Sequence, residues 1–354
     1  MSERVEPVPE QTRPCPRAAG EAYAEPVVDG VIRLVLPLPY TETATVNAYL
    51  LERRGSFCLV DCGSSVAPGW EALEQALGLA RVEPAAIELL VCTHAHADHY
   101  GLAAEVMERC DCPLALAPGT TASADWIRDP PVPLRDRLAL AQRAGVPPEL
   151  QAAAVSHPGD DGLHPRPGPD VVLHEGDTVE TSAGAWRVVA APGHSPTQVV
   201  LLEERSGMLL SADLVLGGPI PYLEYDTTPD PWLEHLDSLQ RVRALGPRLL
   251  LPGHGKPTES ADARLAGTHA AVEAAPQRLL AAVGGRPSSA FEAADAVLGE
   301  GAPFYHRQMA LAGAMSILER LVDTGAAAAD DGPDGVRRYL AVPPDRDPRD
   351  APLS

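Results

Sequence analysis

Aromatic side chains make up only 4% of this 354-residue chain, so the core must be built mainly from aliphatic residues. Positive charge is also short: 28 Lys and Arg stand against 49 Asp and Glu, a formal net charge of −21. A surface of that sign repels phosphate backbones and anionic lipid, which argues against nucleic acid and membranes as partners. No apolar run approaches the ~20 residues of a membrane-spanning helix. The opening residues, Met1 to Pro7, carry mixed charge and no apolar stretch, unlike a secretory signal. The expectation is a cytoplasmic protein. Six cysteines (Cys15, Cys58, Cys62, Cys92, Cys110 and Cys112) fit neither a small secreted disulfide framework nor zinc-ribbon spacing, and read as reduced thiols. Hydrophobic content of 45% and charged content of 22% are ordinary for a globular chain, long enough for one or two domains.

What the chain does have is a concentration of imidazoles in Val91-Cys92-Thr93-His94-Ala95-His96-Ala97-Asp98-His99-Tyr100-Gly101. The apolar run Ile87–Val91 ahead of it reads as a buried strand, and Leu102, Ala103, Val106, Met107 and Cys110 follow at helical spacing. His94 and His96, two apart on extended backbone, can point the same way, while Asp98 and His99 turn toward a neighbouring point. Crowding four polar groups beside a strand end costs free energy unless something binds them, so the spacing suits one metal site or two adjacent ones.

Residues 1–25 are rich in Pro and Glu and read as a disordered tail. Strands are expected at Val31–Leu36, Thr45–Leu51 and Phe57–Val60, the last ending in Asp61-Cys62-Gly63, with a helix from Trp70 to Leu79. Residues 118–170 are rich in Pro and Gly and read as an insertion or lid, with a helical stretch at Leu134–Ala144 and a turn at Pro148–Ala153. His157 and His164 there have no ligand spacing and read as exposed. From Val171 the strands resume, and three of them end in a polar residue: Trp186–Ala190 leads to His194, Met208–Leu210 to Asp213, and Leu249–Leu251 to His254. Ligands from several strand ends can converge only along one edge of the sheets.

Thr93-His94-Ala95-His96-Ala97-Asp98-His99, Gly193-His194, Asp213 and Gly253-His254 stand in the order of the metallo-β-lactamase superfamily, which the chain resembles over residues 28–258, in its glyoxalase II-like branch. The resemblance implies an α+β fold, a four-layer αββα sandwich with metals at one edge. It also implies His94, His96 and His194 on one metal, Asp98, His99 and His254 on a second, Asp213 bridging, and Asp61 supporting the ligands from behind. Two divalent metals are expected, zinc first, although iron and manganese accept the same ligands. A pair of such ions acidifies a shared water to a hydroxide nucleophile and polarises a carbonyl. Asp98 can orient that nucleophile as well as bind. Tyr222 or Tyr225 can donate a hydrogen bond to a substrate oxygen, with plain packing the competing role. No Gly-x-Ser-x-Gly elbow suggests a serine triad.

Beyond His254, helices are expected at Leu265–Val283 with a break at Pro276, at Ser289–Leu298 and at Gln308–Thr324, then a strand over Val336–Ala341. Residues 261–342 thus resemble the winged-helix-like appendage of some superfamily hydrolases, and 343–354 a tail. From Asp262 onward 13 acidic residues stand against 9 Arg and no Lys, which favours a structural or dimerisation role over DNA binding. The sequence as a whole points to a dinuclear hydrolase of a thioester, ester or lactone on a small molecule or acyl carrier. An iron sulfur dioxygenase of the same fold and a non-catalytic binding protein are the rival classes. A homodimer is the base-rate expectation for the assembly.

Overall fold

The computed structural model describes residues 21–38, 45–66, 68–123, 134–155 and 167–343. Seven strands form a first sheet in chain order: β1 (Tyr23–Val28), β2 (Val31–Pro37), β3 (Thr45–Arg53), β4 (Ser56–Val60), β5 (Ile87–Val91), β6 (Leu114–Leu116) and β7 (Val171–Val172). A second sheet holds β8 (Thr178–Thr181), β9 (Gly184–Ala190), β10 (Val199–Glu203), β11 (Met208–Ala212) and β12 (Leu249–Pro252), ordered β12-β11-β10-β9-β8. The first eight helices are α1 (Gly69–Ala80), α2 (Ala97–Tyr100), α3 (Ala103–Cys110), α4 (Thr120–Ser123), α5 (Leu134–Arg143), α6 (Pro148–Val155), α7 (Pro231–Ala244) and α8 (Ala261–Glu273).

Alternation along the strands sends side chains into different cores. Along β3, Val46, Ala48 and Leu50 pack outward against Leu73 and Leu77 of α1 and Val106 of α3. Tyr49 and Leu51 face the other way, toward Trp186, Val188, Leu201 and Leu251 of the second sheet. On that sheet's far side Val189, Val200 and Leu209 meet Leu239 and Val242 of α7 and Leu265 of α8. Helix, sheet, sheet, helix is the four-layer αββα sandwich that the sequence led us to expect. Each fully buried large side chain, such as Trp186 or Leu50, contributes roughly 1.5–3 kcal/mol.

Strand direction gathers the ligand-bearing ends. β4 and β5 are parallel. β10 is antiparallel to both β9 and β11, and β11 is parallel to β12, so β9, β11 and β12 run the same way. Cross-links fix the two sheets together at this edge: the Asn47 backbone N–H donates to Gly253 O at 2.7 Å, the Tyr49 hydroxyl to Pro252 O at 2.8 Å, and Val199 N–H to Thr93 O at 2.9 Å.

The C-terminal segment runs α9 (Ala275–Ala282), β13 (Ser288–Ser289), α10 (Ala290–Leu298), α11 (Phe304–Asp323), β14 (Ala327–Asp331) and β15 (Arg337–Ala341), with the sheet ordered β13-β15-β14. Leu279, Phe291, Leu318 and Tyr339 build its own core. α10 opens with a full capping box between Ser289 and Glu292.

Two expectations need revision, and the insertion gains detail. The stretch assigned to a tail through residue 25 already enters β1 at Tyr23, whose register pairs Tyr23 with Val35; residues 1–20 lie outside the described residues. The described part of the expected 118–170 insertion is docked on the C-terminal unit. Ala141, Ala144 and Val146 sit in the C-terminal core, and Ala144 O accepts from Phe291 N–H at 3.0 Å. His157 and His164 lie outside the described residues. Finally, Pro148–Ala153 is part of α6, a helix and not a turn. The five described cysteines are free and buried, and no helix among the described residues is long and apolar enough to cross a membrane.

Candidate metal centre

Several turns that position the site are sterically special. Asp61, just past β4, holds a left-handed backbone with φ of 60°, and Ala212, just before Asp213, one of 44°. Non-glycine residues adopt that region at a cost, and such strain collects at functional turns. Gly253 is required for another reason: a Cβ there would lie 2.2 Å from Asp213 Oδ1 and 2.8 Å from His99 Cε1.

The seven predicted metal-site residues come together as two adjoining groups. His94, His96, His194 and Asp213 form one, and Asp98, His99 and His254 the other, with the ligating atoms of each group within 4.8 Å of one another. Asp213 reaches both. Its Oδ2 is 3.5 Å from His194 Nε2 and 3.4 Å from His254 Nε2, and its Oδ1 is 3.4 Å from His99 Nε2.

The outer ring nitrogens set the tautomers. Thr93 Oγ1 donates to Asp61 Oδ2 at 3.0 Å, so His94 Nδ1 must donate to Thr93 Oγ1, also at 3.0 Å. His194 Nδ1 faces the Tyr222 carbonyl at 3.3 Å, and His96 Nε2 faces the Glu224 carboxylate at 2.7 Å. Acceptor-only partners oblige both nitrogens to carry the hydrogen. The three inner nitrogens are therefore lone pairs, and they converge: His96 Nδ1 lies 2.9 Å from both His94 Nε2 and His194 Nε2. Three buried lone pairs at that separation repel, and a cation satisfies them together. In the second group His99 Nδ1 meets Asp61 Oδ2 at 2.8 Å and His254 Nδ1 meets Thr45 O at 2.9 Å, so both Nε2 atoms again face inward. His99 Nε2 and Asp213 Oδ1 are buried with no hydrogen bond. Imidazole and carboxylate donors of this kind fit zinc, iron or manganese.

The two groups differ in charge. Burial, helped by neighbouring imidazoles, holds His94 and His194 well below the usual histidine range. Burial acts in the same direction on His99 and His254, but the Asp213 and Asp98 carboxylates outweigh it, holding His99 well above that range and His254 at about 10. Asp98 is held down to about 2, since burial is overcome by His99 and His254.

Two residues escaped the sequence reading. Glu224 is buried, and its contact with His96 spans 128 positions, beyond any local motif. His235, on the unanticipated helix α7, is buried behind Gly193, where a Cβ would fall 2.4 Å from its Cα. The tyrosines separate. The Tyr222 ring packs 5.2 Å from that of His96 and 5.1 Å from that of His194. Tyr225 packs against the C-terminal core, where burial and the nearby Glu319 raise its phenol. Its ring is partly buried against that core, whereas the contacts with the His96 and His194 rings are made by Tyr222.

A family model described as the metallo-β-lactamase superfamily matches residues 42–254, well over half of the chain. The chain belongs to the metallo-β-lactamase superfamily. It is similar to a crystal structure of a metallo-β-lactamase family protein from Thermus thermophilus, with 27% identity and a TM-score of 0.76 over 89% of this chain and 99% of that one. It is 28% identical to a probable metallo-hydrolase of Bacillus subtilis over 66% of this chain and 74% of the relative. A shorter similarity, 28% over 34% of this chain and 37% of the relative, joins it to an Aspergillus fumigatus protein named atrochrysone carboxyl ACP thioesterase. Membership of the superfamily together with this cluster of His and Asp supports the use of divalent metal.

Proposed function

We propose that the protein is a dinuclear hydrolase of thioesters, esters or lactones, acting on a small molecule or on a carrier-bound acyl group. The observation that carries this reading is the convergence of five inward-facing imidazole nitrogens and two carboxylates in adjoining groups that share Asp213. Bound divalent ions supply an acidified water and a Lewis acid for the scissile carbonyl. The chain's own residues do the rest. His94, His96 and His194 would hold one ion and Asp98, His99 and His254 the other, with Asp213 within reach of both groups. Asp98, whose Oδ2 is 3.2 Å from His254 Nε2, is half-buried at the opening of the cluster. Its second carboxylate oxygen would accept a hydrogen bond from the nucleophilic water. Tyr222, half-buried beside His96 and His194, is the remaining candidate for donating to a substrate oxygen. The name of the Aspergillus relative supports the thioester among the three bond types.

The test couples metal content to a substrate screen. Protein purified without added metal should carry about two zinc ions per chain and hydrolyse acyl thioesters or lactones. One iron per chain, without hydrolysis of any of the three bond classes, would replace this reading with sulfur or oxygen chemistry. No metal even after reconstitution would end it.

A further inference from the structure

The segment between Asp213 and α7 has two faces. One touches the metal-holding histidines: the Tyr222 carbonyl accepts from His194 Nδ1 at 3.3 Å, Glu224 N–H donates to His194 O at 3.2 Å, and Glu224 Oε1 accepts from His96 Nε2 at 2.7 Å. The other belongs to the C-terminal unit. Ile220 and Leu223 are buried in its core with Tyr225 packed against it, and Arg278 Nη1 donates to Pro219 O at 2.9 Å. α11 approaches so closely that a Cβ on Gly313 would collide with the Pro221 carbonyl oxygen. Along the strap Pro219–Tyr225, the residues that grip the C-terminal unit therefore flank those that hold His96 and His194. Among the described residues nothing comparable reaches the second group: His99 and His254 are held by Asp61 and by the Thr45 carbonyl, both inside the sandwich.

We propose that Glu224 is a positioning residue for the His94, His96 and His194 site, and that the C-terminal unit sets that site's metal affinity by clamping the strap that carries it. The carboxylate fixes the His96 ring with its Nδ1 inward and increases the electron density that nitrogen donates, as carboxylates behind metal-binding histidines do. Its other oxygen, Oε2, is buried without a partner. That is a costly arrangement, and it follows from the strap being positioned by its C-terminal grip and not by Glu224 itself. The proposal rests on the metal-binding assignment and is independent of the substrate.

The experiment is Co(II) and Zn(II) binding to metal-stripped full-length protein, by chelator competition and by the Co(II) visible spectrum, with no activity readout needed. Glu224→Ala should weaken the first of the two sites 10- to 100-fold and leave the second unchanged. Glu224→Gln keeps an acceptor for His96 Nε2 but loses the charge, and should restore the wild-type Co(II) spectrum with only part of the affinity. Gly313→Ala, which touches no metal-holding residue, should weaken the first site alone by displacing the strap. Leu223→Ala is the milder version if Gly313→Ala folds poorly. Wild-type affinity at both sites in the Glu224 variants would overturn the positioning role. Wild-type affinity in both Gly313→Ala and Leu223→Ala would overturn the clamp. Wild-type protein that binds no metal at all would overturn the proposed function along with this inference.

Discussion

The two halves of the metal centre are built from similar ligands on different foundations. The His94, His96 and His194 half is all imidazole apart from the shared Asp213, and burial and mutual repulsion disfavour protons on His94 and His194. The Asp98, His99 and His254 half has carboxylates against its imidazoles, which hold protons there when no metal does. Its rings are braced by the sandwich, through Asp61 and Thr45, whereas two rings of the first half lean on a strap from a distant part of the chain. One half is set by burial and remote support, the other by local charge. Metal ligands must be deprotonated to bind, so the halves should load with different pH sensitivity.

The largest effect should come from the one residue common to both. Asp213→Ala removes a ligand from each half and leaves His99 Nε2 and His254 Nε2 without their nearest buried carboxylate. Loss of both metals and of about 10³-fold in hydrolysis, several kcal/mol of barrier, is expected from metal analysis and kcat/KM. Loss limited to one metal would mean that Asp213 does not bridge.

The difference in charge gives a sharper comparison. At pH 7 the second half holds protons on His99 and His254 that a metal must displace, and the first half holds none on His94 or His194. Affinity at the second site should rise about tenfold per pH unit for each proton displaced, more steeply than at the first. Calorimetry in buffers of different ionisation enthalpy measures this directly, and equal proton release at both sites would erase the distinction.

The first half also rests on α7. His235, buried beside Gly193, has its pKa lowered to about 4 by burial alone. Because the folded value lies below the unfolded one, its contribution is fully present above about pH 6.5 and is lost as pH falls toward 4. The loss amounts to about 3 kcal/mol. Urea unfolding of metal-free protein at pH 7 and pH 4.5 should show that limb in the wild type and a shallower one in His235→Leu. Smaller still is Asp61→Asn, which keeps an acceptor for Thr93 but weakens the hold on His99 Nδ1. It should lower second-site affinity 10- to 100-fold and, because Asp61 also orients the Thr93 hydroxyl behind His94, weaken the first site to a smaller extent.

The centre was readable because its information is local. An apolar strand followed by a small residue and a ligand can be recognised within six positions, and the pattern recurs at His94, His194, Asp213 and His254. Glu224 follows no such rule, since only the folded strap brings it to His96. α7 was hidden because its buried stripe, Pro231, His235, Ser238, Leu239 and Val242, contains two polar residues that blur the apolar period. β1 was obscured by Glu25 and Pro26, which are tolerated on an edge strand. β6, three residues long after Pro113, is too short to show alternation.

The tyrosines give the finest comparison, between a side chain at the cluster and one three residues away that belongs to a different core. Both follow Asp213 in the same Pro-rich stretch, and sequence alone treated them alike. In the fold Tyr222 packs edge-on to His96 and tilted against His194, while Tyr225 packs among the C-terminal helices. Tyr222→Phe preserves the ring contacts and removes only the hydroxyl, so at most one hydrogen bond to substrate is lost. That corresponds to about 0.5–1.5 kcal/mol, or roughly a two- to tenfold fall in kcat/KM. Tyr225→Phe should leave kcat/KM unchanged and shift stability by no more than about 0.5 kcal/mol. Equal activity losses in the two variants would put Tyr225 back at the substrate and undo its placement in the C-terminal core.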